Sequence, residues 1–199
     1  SIDEVGIGFL FAPLLHTAMK YAMTPRREMG IRTVFNILGP LSNPANAEKQ
    51  LLGVYDGALT EKLANVLKNL GIKQAYIVHG ADGIDEITLT ATTRISELDG
   101  NNIKTFDFNP LDLGLNFCAL EDIKGGSIER NVEIFRSVLA GTKSAYRDIA
   151  VLNAAFAIKL GISEIKDLSS ALKLANAVID DKKAKKKLND LIEFTNNCK

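Results

Sequence analysis

The spacing of apolar residues changes along the chain and divides it into helical and strand-like stretches. From Phe9 to Met23 apolar residues recur every three or four positions, which predicts a helix. Thr24-Pro25 should end it, because the residue before a proline avoids the helical region. Two short apolar runs lie between Gln50 and His79, and from Ser127 onward the spacing is helical again. This order of elements predicts an α/β protein.

The two apolar runs predict a βαβ unit. Gln50–Tyr55 and Ala75–His79 are short and apolar, as buried strands are. Thr60 is placed to cap a helix between them, and Gly71 to end it. We expect the two strands to pair in parallel, with a right-handed crossover.

A second pair of strands should follow. Ile87–Leu98 and Ile103–Phe108 alternate between apolar and polar residues, and a turn signal, Asp99-Gly100-Asn101-Asn102, separates them. This pattern predicts an antiparallel hairpin. The predicted fold class is therefore α/β, with a mostly parallel central sheet, an antiparallel hairpin and flanking helices.

The last third of the chain should be helical. Ser127 and Ser144 are placed as N-caps, each before a helical pattern that a glycine follows. The segment after Ser144 is apolar on most sides and should be buried. The predicted helices are Ile128–Ala140, Ala145–Leu160, Asp167–Ile179 and Lys185–Phe194.

Composition and charge exclude some classes of function. The 199 residues are 46% hydrophobic and 24% charged, which suits one globular domain, or one domain with an appendage. Lys plus Arg equals Asp plus Glu, 24 each, so no net charge favours nucleic acid or a membrane surface. The lysine-rich run Lys182–Lys187 is flanked by aspartates, and we interpret it as a solvated helix face. Cys118 and Cys198 have no metal-ligand spacing and are expected to be reduced thiols in the cytoplasm.

Several common catalytic motifs are missing from the sequence. It contains no G-x-S-x-G, Walker loop, H-E-x-x-H or Gly-rich dinucleotide fingerprint. Serine hydrolase, P-loop NTPase, zinc peptidase and Rossmann dehydrogenase functions therefore lack support. Asn36, Asn43, Asn153 and His79 are interpreted as structural residues that form hydrogen bonds.

Asp85-Glu86 is the first candidate for chemistry. Paired carboxylates suit Mg²⁺, which keeps most of its waters and bridges to a substrate phosphate. Gly80 and Gly83 should bend the chain at the carboxyl end of a strand, where open α/β sheets hold their ligands. A solvated acidic turn explains the same residues, and spacing alone favours it.

The second group of candidates lies in the predicted helix and after it. His16, Met19, Lys20 and Met23 would share one face of the helix, and Arg26 follows at its exit. An arginine offers a fork that matches a carboxylate, although composition alone favours a surface arginine beside Arg27. Thr33 can cap a short helix, Val34–Leu38, that Gly39-Pro40 should stop.

These candidates lie in long motifs. The runs F-A-P-x-x-H-x-A-M-K and P-R-R-E-M-G-I-R-T-V-F-N-I-L-G-P-L-S-N-P-A resemble the anthranilate-site signature of the anthranilate phosphoribosyltransferase family. The run G-x-D-G-x-D-E is similar to the Mg²⁺–diphosphate motif of the same family. The first motif is long and contiguous, so a chance match is a poor explanation.

The resemblance implies an activity and a set of site residues. The activity is transfer of phosphoribose from phosphoribosyl diphosphate to anthranilate, in tryptophan biosynthesis. Arg26 would contact the anthranilate carboxylate, and Asp85 and Glu86 would bind Mg²⁺. His16, Met19, Gly39 and Pro40 would line the anthranilate channel, with Met19 where some members carry Tyr. For His16, a packed structural role is the alternative. No general base is assigned.

The resemblance covers essentially the whole chain but only the later part of the family's length. The family's N-terminal helical bundle, G-T-G-G-D loop and K-H-G-N-R segment have no counterpart here. We therefore expect residues 1–199 to be most of the C-terminal α/β domain of a longer parent, with little turnover alone. The parent would dimerise through its N-terminal domain. The alternatives are a pyrimidine nucleoside phosphorylase of the same fold and a non-enzymatic relative that binds nucleic acid.

Overall fold

The computed structural model describes residues 1–10, 35–43 and 45–197. These residues divide into two compact units. One unit comprises the described residues of Ser1–Asn46 and Lys187–Lys199, and the other is Ala47–Lys186.

The described helices of the first stretch are short. Helix α1 is Ile2–Val5 and helix α2 is Phe35–Leu41. The prediction that Gly39-Pro40 stops the helix is wrong, because α2 continues through both residues. Proline removes one N–H donor, but the final turn still closes: the Ser42 backbone N–H and hydroxyl both donate to the Leu38 carbonyl, at 3.0 and 2.7 Å.

The sheet of the second unit begins with the predicted βαβ unit. Strand β1 (Lys49–Gly53), helix α3 (Leu59–Asn69) and strand β2 (Gln74–Gly80) follow one another, and the two strands pair in parallel. Thr60 lies inside α3 rather than at its cap, and its hydroxyl donates to the Gly57 carbonyl at 3.0 Å. The predicted βαβ unit is confirmed, with the helix starting before Thr60 rather than after it.

Strands β3 (Thr93–Asp99) and β4 (Asn102–Phe108) form the predicted hairpin. Gly100 has a φ of 59° in the two-residue connection, a conformation that favours glycine. Strand β3 starts later than the pattern predicted. The buried residues Ile87, Thr88 and Leu89 belong to the loop before it: Ile87 and Leu89 fill the core, and the Thr88 hydroxyl donates to Asp82.

The predicted α/β class is confirmed, but the prediction of a mostly parallel sheet is wrong for the described strands. The described sheet has the order β1-β2-β3-β4, with one parallel pairing and two antiparallel pairings. The sheet is therefore mixed rather than mostly parallel. A parallel pairing needs a crossover such as α3, whereas β2 and β3 are joined by a loop that reverses the chain.

The remaining helices begin and end close to the predicted positions. Ser127, Ser144 and Asp167 each accept a hydrogen bond from a backbone N–H of the first helical turn, as N-caps do. The helices are α4 (Ile128–Leu139), α5 (Ala145–Gly161), α6 (Leu168–Asp180) and α7 (Lys183–Asn197), and two 3-10 turns, Pro110–Leu113 and Leu120–Ile123, precede them.

Helices cover both faces of the sheet. Helix α3 contacts β2, β3 and β4, and the buried Ser96 hydroxyl donates to Thr60 of that helix at 3.0 Å. Side chains alternate along a strand, so Tyr76 and Val78 point to the opposite face, where α5 packs. The core on that face also contains Leu152 and Phe156 of α5 and the loop residues Ile87 and Leu89.

Phe156 is at the centre of this core. Its ring is 1% exposed and meets Tyr76 and Phe108 edge to face, with centroids 5.3 and 5.2 Å away. The expectation that α5 is buried holds for this side of the helix. The opposite side exposes small residues, Ala150, Ala157 and Gly161.

The loop Ala81–Thr92, which joins β2 to β3, packs closely on the end of β1. A methyl group added at Gly53 would lie 1.6 Å from the carbonyl oxygen of Asp85. Glycine is therefore required at this position for the loop backbone to approach the strand.

Among residues 1–10, 35–43 and 45–197, none of the helices combines the length and the hydropathy that a membrane span requires.

We predict that Phe156→Ala lowers the free energy of unfolding by about 3 to 5 kcal/mol, because it leaves a cavity between two rings. Phe135→Ala is the matched control: Phe135 is 52% exposed, and its loss should change the free energy by no more than about 0.5 kcal/mol. Urea denaturation of both variants measures the difference. Similar losses for both would contradict the described core.

We also predict that Gly53→Ala lowers the free energy of unfolding by about 1 to 3 kcal/mol, because the added methyl overlaps the loop backbone. The control is Gly161→Ala in α5, where no atom beyond the chain neighbours and the backbone of the same helix lies within 4 Å of the added methyl. That change should leave stability unchanged or raise it. Thermal denaturation of the two alanine variants checks this, and equal stability would contradict the close approach at Gly53.

Candidate metal and substrate site

The predicted site residues fall in different parts of the chain. Asp85 and Glu86 are exposed residues of the loop Ala81–Thr92, in the second unit. Gly39 and Pro40 lie in α2, in the first unit. His16, Met19 and Arg26 lie outside the described residues. The geometry below therefore concerns the carboxylate pair and its surroundings.

A tight turn at the carboxyl end of β2 starts the loop. The Gly83 N–H donates to the Gly80 carbonyl at 2.8 Å, and the Gly80 N–H donates to the Ile84 carbonyl at 2.8 Å. Gly83 has a φ of 93°, which other residues rarely adopt. The predicted bend around these two glycines is confirmed, and it puts Asp85-Glu86 beyond the end of the strand.

Asp82 organises the inside of this turn. Its Oδ1 accepts the Ile84 backbone N–H at 3.2 Å, and its Oδ2 accepts the hydroxyls of Thr88, at 2.6 Å, and Thr90. One half-buried carboxylate thus links the residue before the acidic pair to two residues after it.

Hydrogen bonds determine the charge state of Asp82. Burial alone would raise its pKa, but the two threonine hydroxyls and the Ile84 N–H outweigh burial, so the pKa of Asp82 is lowered from its ordinary value. The carboxylate therefore stays ionised and bonded to the loop.

Asn153 of α5 holds the other side of the acidic pair. Its Oδ1 accepts the Ile87 backbone N–H at 3.1 Å, and its Nδ2 donates to the Ile87 carbonyl at 2.8 Å. The same Nδ2 donates to the Ile149 carbonyl at 3.0 Å, which fixes the amide on its own helix. The prediction that Asn153 is a structural, hydrogen-bonding residue is confirmed.

The pKa of Glu86 is shifted in the opposite direction to that of Asp82. Partial burial raises the pKa of Glu86, and the negative charge of Asp85 raises it further. Repulsion between neighbouring carboxylates favours either a proton or a cation between them. The pair therefore has the chemistry of a cation ligand, with oxygen atoms suited to Mg²⁺.

The described part of the chain contains no metal site whose ligands are all protein side chains. Within it, no three His, Cys, Asp or Glu side chains lie close enough to hold a metal ion. Mg²⁺ usually uses one or two carboxylates and takes its other ligands from water and substrate phosphate. Two exposed carboxylates on a loop fit that mode of binding.

The other predicted structural residues behave as expected where the structure describes them. His79 Nδ1 lies 2.8 Å from the Val54 carbonyl oxygen, which ties the end of β2 to the chain after β1. Asn43 Oδ1 accepts the Ala45 backbone N–H at 3.0 Å. Cys118 is a free thiol. The side chain of Asn36 and the residue Cys198 lie outside the described part.

Sequence reasoning missed Asp82, Thr88 and Thr90. All three lie within eight residues of one another, and the alternation Thr88-x-Thr90 was interpreted as part of a strand. An aspartate before a glycine, followed by two hydroxyl residues, was the available signal. The spacing alone did not show that the chain folds back to bring the hydroxyls to the carboxylate.

Comparison with known proteins supports the resemblance. Residues 1–185 match the glycosyl transferase family, a/b domain. The chain is 53% identical over 195 residues to an anthranilate phosphoribosyltransferase of Geotalea uraniireducens, covering 98% of this chain and 55% of that protein. It is 48% identical over 196 residues to the enzyme of that name from Acetivibrio thermocellus, covering 98% and 56%. The chain thus spans slightly more than half the length of these relatives.

Solved structures agree on the fold. Anthranilate phosphoribosyltransferase from Thermus thermophilus superposes with a TM-score of 0.88 at 35% identity, covering 97% of this chain and 57% of that one. The enzyme from Saccharomyces cerevisiae in complex with PRPP and Mg gives a TM-score of 0.85 at 28% identity, covering 93% and 53%. Together with the sequence match over residues 1–185, the fold shows that the chain belongs to the glycosyl transferase family, in its a/b domain.

Proposed function

We propose that this chain is the α/β part of an enzyme that transfers phosphoribose from phosphoribosyl diphosphate to anthranilate, with release of diphosphate. The observation that carries the proposal is the exposed carboxylate pair Asp85-Glu86 at the carboxyl end of β2, in a chain about half identical to enzymes of this name. The names of these relatives favour this function over a pyrimidine nucleoside phosphorylase or a nucleic-acid-binding protein.

Asp85 and Glu86 would hold Mg²⁺ beside the diphosphate. When bound, the cation neutralises the negative charge that develops on the leaving diphosphate. A related yeast enzyme is described in complex with PRPP and Mg, which supports Mg²⁺ as the cofactor. The two exposed side chains of this chain would supply oxygen ligands and orient the phosphates.

The anthranilate side of the site is assigned by the sequence motif. Arg26 would pair with the anthranilate carboxylate through its guanidinium, while His16, Met19, Gly39 and Pro40 line the approach. A yeast relative is described in complex with 4-fluoroanthranilate, an analogue of the proposed acceptor. An aryl amine is a neutral nucleophile at pH 7, so positioning and stabilisation of the leaving group would suffice without a strong base.

The extent of the chain matters for activity. It spans 55% of the length of the Geotalea relative, and we propose that residues 1–199 are most of the C-terminal α/β domain of a longer enzyme. The remaining length would supply a phosphate loop and an N-terminal helical domain, through which two copies would form a dimer. We propose a cytoplasmic location, as expected for amino-acid biosynthesis.

The proposed activity is tested by the loss of anthranilate fluorescence in the presence of phosphoribosyl diphosphate and Mg²⁺. We predict turnover by a protein of the relatives' length that contains these 199 residues, and little or none by residues 1–199 alone. Asp85→Asn and Glu86→Gln in the longer protein should lower kcat/KM for phosphoribosyl diphosphate by at least about tenfold.

The control for these two variants is Asp107→Asn, since Asp107 is a carboxylate of β4 that is 65% accessible and pairs with Arg94 of the same hairpin. Activity equal to the unchanged protein in Asp85→Asn and Glu86→Gln would reject the metal site. Absence of turnover in the longer protein would reject the function itself.

We further predict that Arg26→Ala raises KM for anthranilate by about tenfold to a hundredfold, the loss expected for a hydrogen bond between charged groups. KM for phosphoribosyl diphosphate should change much less. Arg27→Ala is the matched control and should leave both constants close to those of the unchanged protein. Steady-state kinetics with each substrate varied in turn measures the two KM values. An equal rise in both would argue against Arg26 as the residue that binds the anthranilate carboxylate.

A further inference from the structure

The backbone on either side of Asp85-Glu86 is held by side chains from outside the pair. On one side, the Ile84 N–H donates to Asp82 Oδ1 at 3.2 Å. On the other side, the Ile87 N–H and carbonyl both bond to the amide of Asn153, at 3.1 and 2.8 Å. Only the two acidic residues lie between these anchors.

Asp82 is itself fixed by residues beyond the pair. The Thr88 hydroxyl donates to its Oδ2 at 2.6 Å, and the Thr90 hydroxyl donates to the same atom. Thr88 is fully buried, and its own backbone N–H donates to the Thr93 hydroxyl at 3.0 Å, at the first residue of β3. The anchor before the pair is thus tied to the sheet.

Asn153 is fixed by the helix that carries it. The neighbouring residue Leu152 is fully buried in the core between α5 and the sheet. The Asn153 Nδ2 also donates to the Ile149 carbonyl at 3.0 Å, on the same helix. The anchor after the pair therefore moves only if α5 moves. One anchor, Asn153, thus belongs to α5, and the other, Asp82, is a loop residue that Thr88 ties to the start of β3.

This arrangement solves a geometric problem. Side chains of neighbouring residues in extended chain point to opposite sides, so two adjacent carboxylates can serve one cation only from a bent backbone. The backbone bends at Asp85 and at Glu86. Two exposed carboxylates of like charge would not keep such a bend by themselves, so residues outside the pair must hold it.

We propose that Asp82 and Asn153 are positioning residues that clamp the chain on either side of Asp85-Glu86 and so aim both carboxylates at one Mg²⁺–diphosphate. This proposal rests on the proposed function. Neither residue is assigned as a metal ligand: both oxygens of Asp82 accept hydrogen bonds from the loop, and both polar atoms of the Asn153 side chain bond to backbone.

In this proposal Asp82 acts by holding the backbone through hydrogen bonds, so the variants are chosen to keep or remove those bonds. In Asp82→Asn the amide oxygen can still accept the Ile84 N–H, and the amide NH₂ can donate to the hydroxyls of Thr88 and Thr90. Asp82→Ala removes all three bonds. Thr90→Val keeps the shape of the side chain and removes one hydroxyl, so it tests the clamp in a protein that should still fold.

The test measures binding of Mn²⁺ with inorganic diphosphate to the protein of the relatives' length, by titration calorimetry and by the electron paramagnetic resonance signal of free Mn²⁺. Asp82→Ala and Asn153→Ala should raise the apparent Kd by about tenfold to a hundredfold, as loss of groups that orient metal ligands does. Asp82→Asn should recover most of the affinity, and Thr90→Val should fall between.

A matched control separates positioning from general loss of stability. Thr105 of β4 shares a hydrogen bond of 2.8 Å with the buried Ser96, away from the loop. Thr105→Val should lower stability and leave the Kd for Mn²⁺ with diphosphate unchanged. In the kinetic assay, Asp82→Ala should raise KM for phosphoribosyl diphosphate and leave KM for anthranilate unchanged.

The outcomes distinguish this proposal from the proposed function. If Asp85→Asn and Glu86→Gln lose binding while Asp82→Ala, Asn153→Ala and Thr90→Val keep it, the metal site stands and the clamp is wrong. If the clamp variants and Thr105→Val weaken binding equally, positioning is also wrong. If the unchanged protein does not bind Mn²⁺ with diphosphate, or if Asp85→Asn and Glu86→Gln bind as it does, the metal site falls and the clamp with it.

Discussion

The packing of helix α5 against the sheet is the contact on which the rest of the second unit depends. Leu152 and Phe156 are buried against β2 and the end of β4, and Phe156 meets Tyr76 and Phe108 edge to face. Burial of rings of this size is a large favourable term, and the edge-to-face geometry fixes the rotation of the helix. The backbone positions from which the polar side chains of α5 extend are thereby set.

Three polar contacts follow from that placement. Asn153 reaches the backbone of Ile87, Lys159 donates to the Tyr76 hydroxyl at 2.6 Å, and Arg147 donates to Asp180 of α6 at 2.9 Å. Each joins α5 to a different element. Burial and the hydrogen bond to Glu97 raise the pKa of Tyr76, so this hydroxyl remains a neutral bridge between helix and sheet.

One loop holds carboxylates of two kinds, and their surroundings explain the difference. Asp82 has a lowered pKa, and both of its carboxylate oxygens accept hydrogen bonds from within the loop, three in all. Glu86 has a raised pKa, because partial burial and the charge of Asp85 both disfavour its ionised form. The carboxylate with donors around it serves structure, while the one beside a like charge has most to gain from a cation.

Local patterns in the sequence predicted a large part of this fold. The N-cap serines of α4 and α5 and the two-residue hairpin connection at Gly100 are consequences of residues close together in the chain. The parallel pairing of β1 and β2 follows from the helical crossover between them, which the sequence pattern also predicted. Hydrogen bonds to a cap or a turn reach only a few residues, so their signals are local as well. The bend between Gly80 and Gly83, which leads into the exposed acidic pair, was likewise predicted from residues close together in the chain.

The predictions that were wrong involve contacts that the local pattern does not contain. Residues Ile87 to Thr92 alternate as a strand would, yet they form a loop, because Ile87 and Leu89 fill the core beneath α5 and the hydroxyls of Thr88 and Thr90 turn to Asp82. Gly39-Pro40 suggested a helix stop, but the bonds from Ser42 close the turn beyond the proline. Likewise, the sheet is mixed because strand direction depends on the connection between strands, which residue spacing within a strand does not reveal.

By itself, the sequence determined the α/β class, the order and approximate bounds of the elements, the family resemblance and the identity of the acidic pair. The tertiary structure alone decided which groups hold that pair. Asn153 lies 66 residues from Ile87 along the chain, and Gly53 approaches the Asp85 carbonyl from another strand. A hydrogen bond between residues so far apart in the chain forms only because the packing of the helix on the sheet places the two residues side by side. The spacing of apolar residues predicts each element but not which residues of two elements will be neighbours.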